Sequence, residues 1–360
     1  MMFLALLACT PPAAEWAATV SPRGGTATGY ESITIELSGF ADEPPLISRA
    51  WLGGVELFDL PDEPSESFVA TGQGSPLVGE VDLVLEVEGE STTIPAAFEV
   101  AGPIDPVFGR MVGIGASFTM GVQNGVPSAH GALASPGMLV ARQAGAHYSL
   151  PLLVPGLFPE IGTDDIGPFP ACEVPDIPGF VANASADVIT TLSDENGFVY
   201  WPGRETPDLM PQNLAGGGLN VGVLAFGTDA FQLNFLAHLV YDPYGDLAEP
   251  PPNSQLELAV ASEPTLVVSF DLLGNDLIAS AVSDRYLEPS LATPVEDLVA
   301  PLDHIAAELN ATGAQVFIAN MPDPTLLGAA RQKQALMVAE GEYTSEEAAA
   351  VAAEIRGFAV

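Results

Sequence analysis

Three short stretches of this chain carry residue types that can do chemistry together. The first is Gly115-Ala116-Ser117-Phe118, which follows the apolar run Met111-Val112-Gly113-Ile114. Glycines let a backbone turn sharply at the end of a strand, and a serine placed there sits where open α/β sheets keep their reactive groups. The second stretch is Asn213-Leu214-Ala215-Gly216-Gly217-Gly218, whose consecutive glycines bring a backbone close to something. The third is Leu273-Gly274-Asn275-Asp276, just after the β-branched run Thr265-Leu266-Val267-Val268-Ser269-Phe270. A serine hydroxyl becomes a useful nucleophile once a base takes its proton. The oxyanion that follows needs preorganised donors: the serine's own N–H, a glycine N–H and an Asn amide could supply them. Losing one such donor typically costs about 3–4 kcal/mol of transition-state stabilisation. Any one of these stretches alone is an ordinary turn; the signal is the three together.

The elements that must position them are legible as alternating strands and helices. Residues 134–144 have helical spacing with Gly145 as a stop, and residues 230–239 and 254–261 also read as helices. A helix is expected from Thr293, with Thr293 as N-cap, Pro294 at the first helical position, Glu296 at the third and Gly313 as terminator. Val316-Phe317-Ile318-Ala319 reads as a buried strand, and a last helix, residues 344–357, opens on a capping box of Thr344 and Glu347. Strands alternating with helices imply a parallel sheet covered on both faces. The Pro/Gly-rich residues 149–211 read either as a lid over a cleft or as an irregular insertion. Cys172, inside that segment, reads as a small packed residue.

Residues 16–102 have a different texture. Ser32-Ile33-Thr34-Ile35-Glu36-Leu37 and residues 81–88 alternate apolar and polar, and glycine-rich turns separate them. Short half-buried strands at regular spacing predict a small β-sandwich. Trp51 reads as a core or hairpin residue. Ala101-Gly102-Pro103-Ile104-Asp105-Pro106 reads as a linker, so the expected organisation is residues 1–15, 16–102 and 106–360.

Composition bounds the partners. The chain has 360 residues, 47 acidic against 9 basic, and a formal net charge of −38. Such a surface repels nucleic acid and anionic membranes, which are bound through clustered Lys and Arg. No Gly-x-x-x-x-Gly-Lys and no dinucleotide glycine motif occur, and no metal-ligand cluster stands out, so no cofactor is expected. The 2 cysteines, Cys9 and Cys172, do not make a disulfide framework. No later apolar run is long and uninterrupted enough to span a bilayer.

Several stretches resemble known families. Leu6-Leu7-Ala8-Cys9 resembles a bacterial lipobox. That implies lipidation at Cys9, a tether over residues 10–15 and export as a cell-envelope lipoprotein, with possible outer-membrane attachment, or secretion. The other reading is a mis-assigned start inside a longer signal. Ser21-Pro22-Arg23-Gly24-Gly25, Ala50-Trp51-Leu52-Gly53-Gly54-Val55 and Ala97-Phe98-Glu99-Val100 resemble an immunoglobulin-like TIG (IPT) domain, which implies a spacer or binding module. The three reactive stretches, in order, resemble the blocks of SGNH (GDSL-type) esterases and lipases. Residues 254–264 and 311–323 are similar to the lipoprotein-like branch of that superfamily. The resemblance implies a three-layer, flavodoxin-like α/β domain with a parallel sheet, preceded by the small all-β sandwich. It makes Ser117 the nucleophile, and the Ser117 N–H, Gly218 and Asn275 the oxyanion hole, with Gly217 able to slide into the place of Gly218. The substrate would be a small-molecule, lipid or acylated-carbohydrate ester. Ala116 stands where the family has Asp, and Leu273 where it has Gly.

The family's base is a His with an Asp three residues before it. The 4 histidines here, His130, His147, His238 and His304, all lack that Asp. The catalytic His is therefore expected beyond Val360, with little turnover from the 360 residues alone. The alternative is a non-catalytic cell-surface binding or adhesion protein with a degenerate hydrolase domain.

Overall fold

The computed structural model describes residues 16–40, 43–122, 129–152, 210–217, 219–227, 240, 253–277, 292–320, 335, 338–341 and 343–358. The chain divides into two compact units, Met1–Gly102 and Pro103–Val360. The segment read as a lid or an irregular insertion (apart from its ends), the expected helix over 230–239, His238, Cys9, Cys172 and Gly218 lie outside the described residues.

The first unit is built from β1 (Ala17–Ser21), β2 (Gly24–Thr26), β3 (Ser32–Ser38), β4 (Arg49–Leu52), β5 (Val55–Phe58), β6 (Ser67–Gly72), β7 (Gly79–Val87) and β8 (Glu90–Ala101). Period-two patterning places Ile33, Ile35 and Leu37 of β3 and Val81, Leu83 and Leu85 of β7 inside. The β4–β5 hairpin turns on Gly53 (φ 59°) and Gly54 (φ 80°), both in the left-handed region that a two-residue turn of this hand requires. Trp51 is a hairpin residue, paired across the strands with Glu56. The Arg49 guanidinium lies 4.7 Å from its ring centroid and grips the Glu56 carboxylate at 2.7 and 3.0 Å.

The expected sandwich is corrected. The strands form one 8-stranded sheet in the order β1-β3-β6-β5-β4-β7-β8-β2. β5 is the reason: it pairs with β4 on one side and β6 on the other, stitching what would be two sheets into one. The sheet is antiparallel except for β2 beside β8, and it curls until β1 lies against β8, giving a nearly closed, barrel-like wall. Alternation shows which face of a strand is buried but not which strands are neighbours.

In the second unit a 3-10 turn (Pro106–Phe108) leads into β9 (Met111–Gly113), α1 (Ser117–Met120), α2 (Ala129–Leu133), α3 (Pro136–Ala144), α4 (Val221–Phe226), α5 (Gln255–Ala261), β10 (Leu266–Ser269), α6 (Val295–Thr312), β11 (Gln315–Ile318) and α7 (Ser345–Phe358). β9, β10 and β11 pair in parallel, in the order β11-β10-β9, and a single parallel bridge joins Gly113 to Asn213. This corrects the flavodoxin-like expectation. Among the described residues, parallel pairing in this unit is limited to these 3 short strands and one bridge, and the largest sheet is the mostly antiparallel one of the first unit.

Local signals explain most helix ends. Ser135 caps α3 through Met138 N–H, and Gly145 ends it at φ 66°. Ser254 and Glu257 form a capping box on α5, as do Thr344 and Glu347 on α7. Thr293 departs from expectation. α6 has Pro294 at its N-cap without a side-chain cap, because the Thr293 hydroxyl donates to Asp276 at 2.9 Å instead. β11 departs as well: Val316, Phe317 and Ile318 are 42, 51 and 42 % exposed. Among the described residues it is the end strand of its sheet, with a partner on one side.

Candidate functional site

The turn after β9 is held by a carboxylate. α1 has only 4 residues and Ala116, its N-cap, offers no side-chain acceptor. So short a helix does not form by its own propensity. Asp271, which follows β10 and is buried, supplies what is missing. Its Oδ1 accepts the N–H of Ala116 at 3.0 Å and of Thr119 at 3.3 Å, and its Oδ2 accepts that of Phe118 at 2.6 Å. The Thr119 hydroxyl donates to Oδ1 as well. Gly115 is required beside this clamp. Its φ is 141°, and a Cβ there would lie 2.7 Å from both Asp271 Oδ1 and Thr119 Oγ1.

A second buried side chain ties this turn to the glycine-rich stretch. Gln255, the first residue of α5, accepts the Gly115 N–H at 2.6 Å through Oε1. Its Nε2 donates to Gly115 O at 3.1 Å and Leu214 O at 2.7 Å. Asn213, also buried, donates through Nδ2 to Thr119 O at 3.0 Å. Gly113 N donates to Gln212 O, Leu214 N to Gly113 O and Gly216 N to Gly115 O, so residues 212–216 run alongside β9 and the turn that follows it.

The third stretch joins the same edge. Asn275 Nδ2 donates to Leu219 O at 2.7 Å, which orients its amide and leaves its second N–H for another acceptor. Asp276 accepts the Val221 N–H at 2.9 Å and the Thr293 hydroxyl at 2.9 Å. Burial raises its pKa above the ordinary carboxylate value, and these hydrogen bonds pull it partly back. Ser117, Gly216–Gly217 and Asn275 therefore come from three separate stretches linked by hydrogen bonds at the carboxyl ends of β9 and β10.

Ser117 itself is half-buried, beside the exposed Phe118. Among the described residues, no hydrogen-bond partner engages its hydroxyl or its N–H. None of the described histidines supplies a base to it. His130 is exposed on α2, and His304 stacks on Phe226 with ring centroids 5.0 Å apart. His147 has a buried, unpaired Nε2, and burial lowers its pKa to about 4. Next to it, the Tyr148 phenol is wedged against Gly113 and Gly137, where any Cβ would strike it, and burial raises its pKa. No group of three or more His, Cys, Asp or Glu that could hold a metal occurs among the described residues, and no described helix is long and apolar enough to cross a membrane.

Sequence reasoning missed Asp271, Gln255 and Asn213. Each left a faint signal. Asp271 is a carboxylate at the very end of an apolar strand, Gln255 a polar residue just inside a capped helix, and Asn213 the polar start of the glycine stretch. Their burial and partners were not readable, because each acts on residues far away in the chain. No protein-family model matches this chain, and no curated protein matches it either.

Proposed function

We propose that this protein is an exported serine ester hydrolase of lipase or acylesterase type, acting through an acyl-serine intermediate. One observation carries the reading. The turn bearing Ser117, the glycine stretch at 216–217 and the Asn275 amide are locked to one another at one sheet edge by buried Gln255, Asp271 and the Asn275–Leu219 contact. In the proposed reaction Ser117 Oγ bonds to the acyl carbon as its proton passes to a base. The carbonyl oxygen becomes an oxyanion held by the Ser117 N–H, a glycine N–H at 217 or 218, and Asn275 Nδ2. Collapse expels the alcohol with a proton, and water then cleaves the acyl-serine to free acid. Export rests on the first nine residues, ending in Cys9. The substrate class is an ester of a small alcohol, lipid or carbohydrate.

A second reading, a non-catalytic surface binding protein, is favoured by the lack of a base hydrogen-bonded to Ser117 among the described residues. One experiment separates the two: hydrolysis of p-nitrophenyl acetate and butyrate by the gene's full product, with and without Ser117→Ala. The ester-hydrolase reading expects turnover that falls by about a thousandfold or more in the variant. Turnover that survives the substitution, or none from the natural protein, sinks it.

A further inference from the structure

The hydrogen bonds around Asp271 are distributed unevenly, and the unevenness has a chemical meaning. The first turn of a helix has N–H groups without intrahelical partners. In α1 and the residue before it, those of Ala116, Phe118 and Thr119 all go to the Asp271 carboxylate. Met120 N–H is bonded within the turn, to Ala116 O. Gly115 N–H goes to Gln255. Ser117 N–H alone in the run 115–120 has no acceptor among the described residues.

We infer that Asp271 is a positioning residue for the proposed acyl transfer: it holds the turn that carries Ser117 and takes up the N–H groups on either side, leaving Ser117's own N–H for the substrate oxygen. The inference rests on the ester-hydrolase reading. Asp271 is not the general base. Four donors, Ala116 N, Phe118 N, Thr119 N and Thr119 Oγ1, already occupy its two oxygens. Its task is geometric. Carboxylate acceptors bind N–H groups about twice as strongly as neutral ones, and the carboxylate lies beneath the turn, where Gly115 lacks the Cβ that would displace it. A turn released from it loses the acceptor of three N–H groups, and the ties that Gln255 makes to Gly115 and Asn213 to Thr119 O hold its two ends but not the Ser117 peptide between them.

The test uses the full-length protein and Asp271→Asn, which keeps the shape but presents an amide N–H to one of the donors. Thr119→Ala, which removes the hydroxyl on Oδ1, is a second and milder variant. Three quantities are read for p-nitrophenyl butyrate and for a boronic acid that forms a tetrahedral adduct: kcat, KM and boronate affinity. Asp271→Asn is expected to lower kcat about a hundredfold and boronate affinity by a similar factor. KM stays within about threefold. Thr119→Ala lowers kcat about tenfold. If the wild type shows no Ser117-dependent turnover, the hydrolase reading fails and the positioning role with it. If Ser117-dependent turnover is present and folded Asp271→Asn and Thr119→Ala keep their kcat, the positioning role alone is overturned. A loss shared equally between kcat and KM, tracking the fall in melting temperature, also overturns it.

Discussion

The two units bury polar groups in different ways. In the barrel-like unit the buried polar side chains among the described residues are few: Thr28, Gln73 and Ser75, set in a wall of alternating aliphatic residues. In the second unit Thr119, Asn213, Gln255, Asp271 and Asp276 are all buried, and they gather around the carboxyl ends of β9 and β10. Every buried side-chain atom without a partner among the described residues, His147 Nε2, Tyr148 Oη and Ser269 Oγ, is also in the second unit. Burying polar groups is expensive unless they are satisfied. A fold that places so many at one sheet edge is holding backbone in a set geometry there, whereas the barrel holds itself together by apolar area.

Substitutions can break that comparison, and the largest expected effect is at Gly115. Gly115→Ala forces a left-handed residue and drives a Cβ into Asp271 and Thr119. We expect a loss of about 3 kcal/mol or more of unfolding free energy in the second unit, together with loss of any Ser117-dependent turnover. Chemical denaturation and ester hydrolysis measured on the same sample check both. Leu83→Ala is the matching change in the barrel, where Leu83 is fully buried. It should cost about 3 kcal/mol in the first unit, by cavity formation, and leave any Ser117-dependent turnover unchanged. Equal damage to hydrolysis from both substitutions would erase the distinction between the units.

Gln255→Leu removes three hydrogen bonds between the serine turn and the glycine stretch. It leaves the Gly115 N–H and the Leu214 carbonyl without Gln255, while Gly115 O keeps the Gly216 N–H, so about 2 kcal/mol of stability should go, seen as a lower denaturation midpoint. The smallest effect is a pH dependence. Burial lowers the His147 pKa from 6.5 to about 4 in the folded protein. The unfolded chain therefore takes up a proton that the folded chain refuses. The stability contributed by neutral His147 is full above pH 6.5 and is lost progressively as the pH falls toward about 4. Thermal unfolding at pH 7 and pH 5 should show a shallower decline in His147→Gln than in the natural protein.

How much of this was legible depends on the range over which each residue acts. The capping box of Thr344 and Glu347 forms as the sequence indicates, and Gly145 and Gly313 end their helices in the left-handed conformation, while the Ser135 and Ser254 caps were not singled out. The alternation in β3 and β7 sorted inside from outside. What alternation could not show was that β5 would pair on both sides, so a sandwich was expected where the strands form one curled sheet. Thr293 looked like a helix cap, and a partner 17 residues away, Asp276, took its hydroxyl. The site divides in the same way. Ser117 and Asn275 stood out by type and spacing. Asp271 and Gln255, which act across 153 and 140 residues on the Ser117 turn, carried no local sign of their role.

The central claim is that Ser117 is a nucleophile held ready by this clamp. Its most direct test is covalent. The full gene product is treated with a p-nitrophenyl alkylphosphonate, p-nitrophenol release is followed, and the modified peptide is located by mass spectrometry. The account predicts one equivalent of p-nitrophenol released, with the phosphonyl group on Ser117 and no labelling of Ser117→Ala. Labelling at another serine, or an unmodified protein after prolonged exposure, contradicts it.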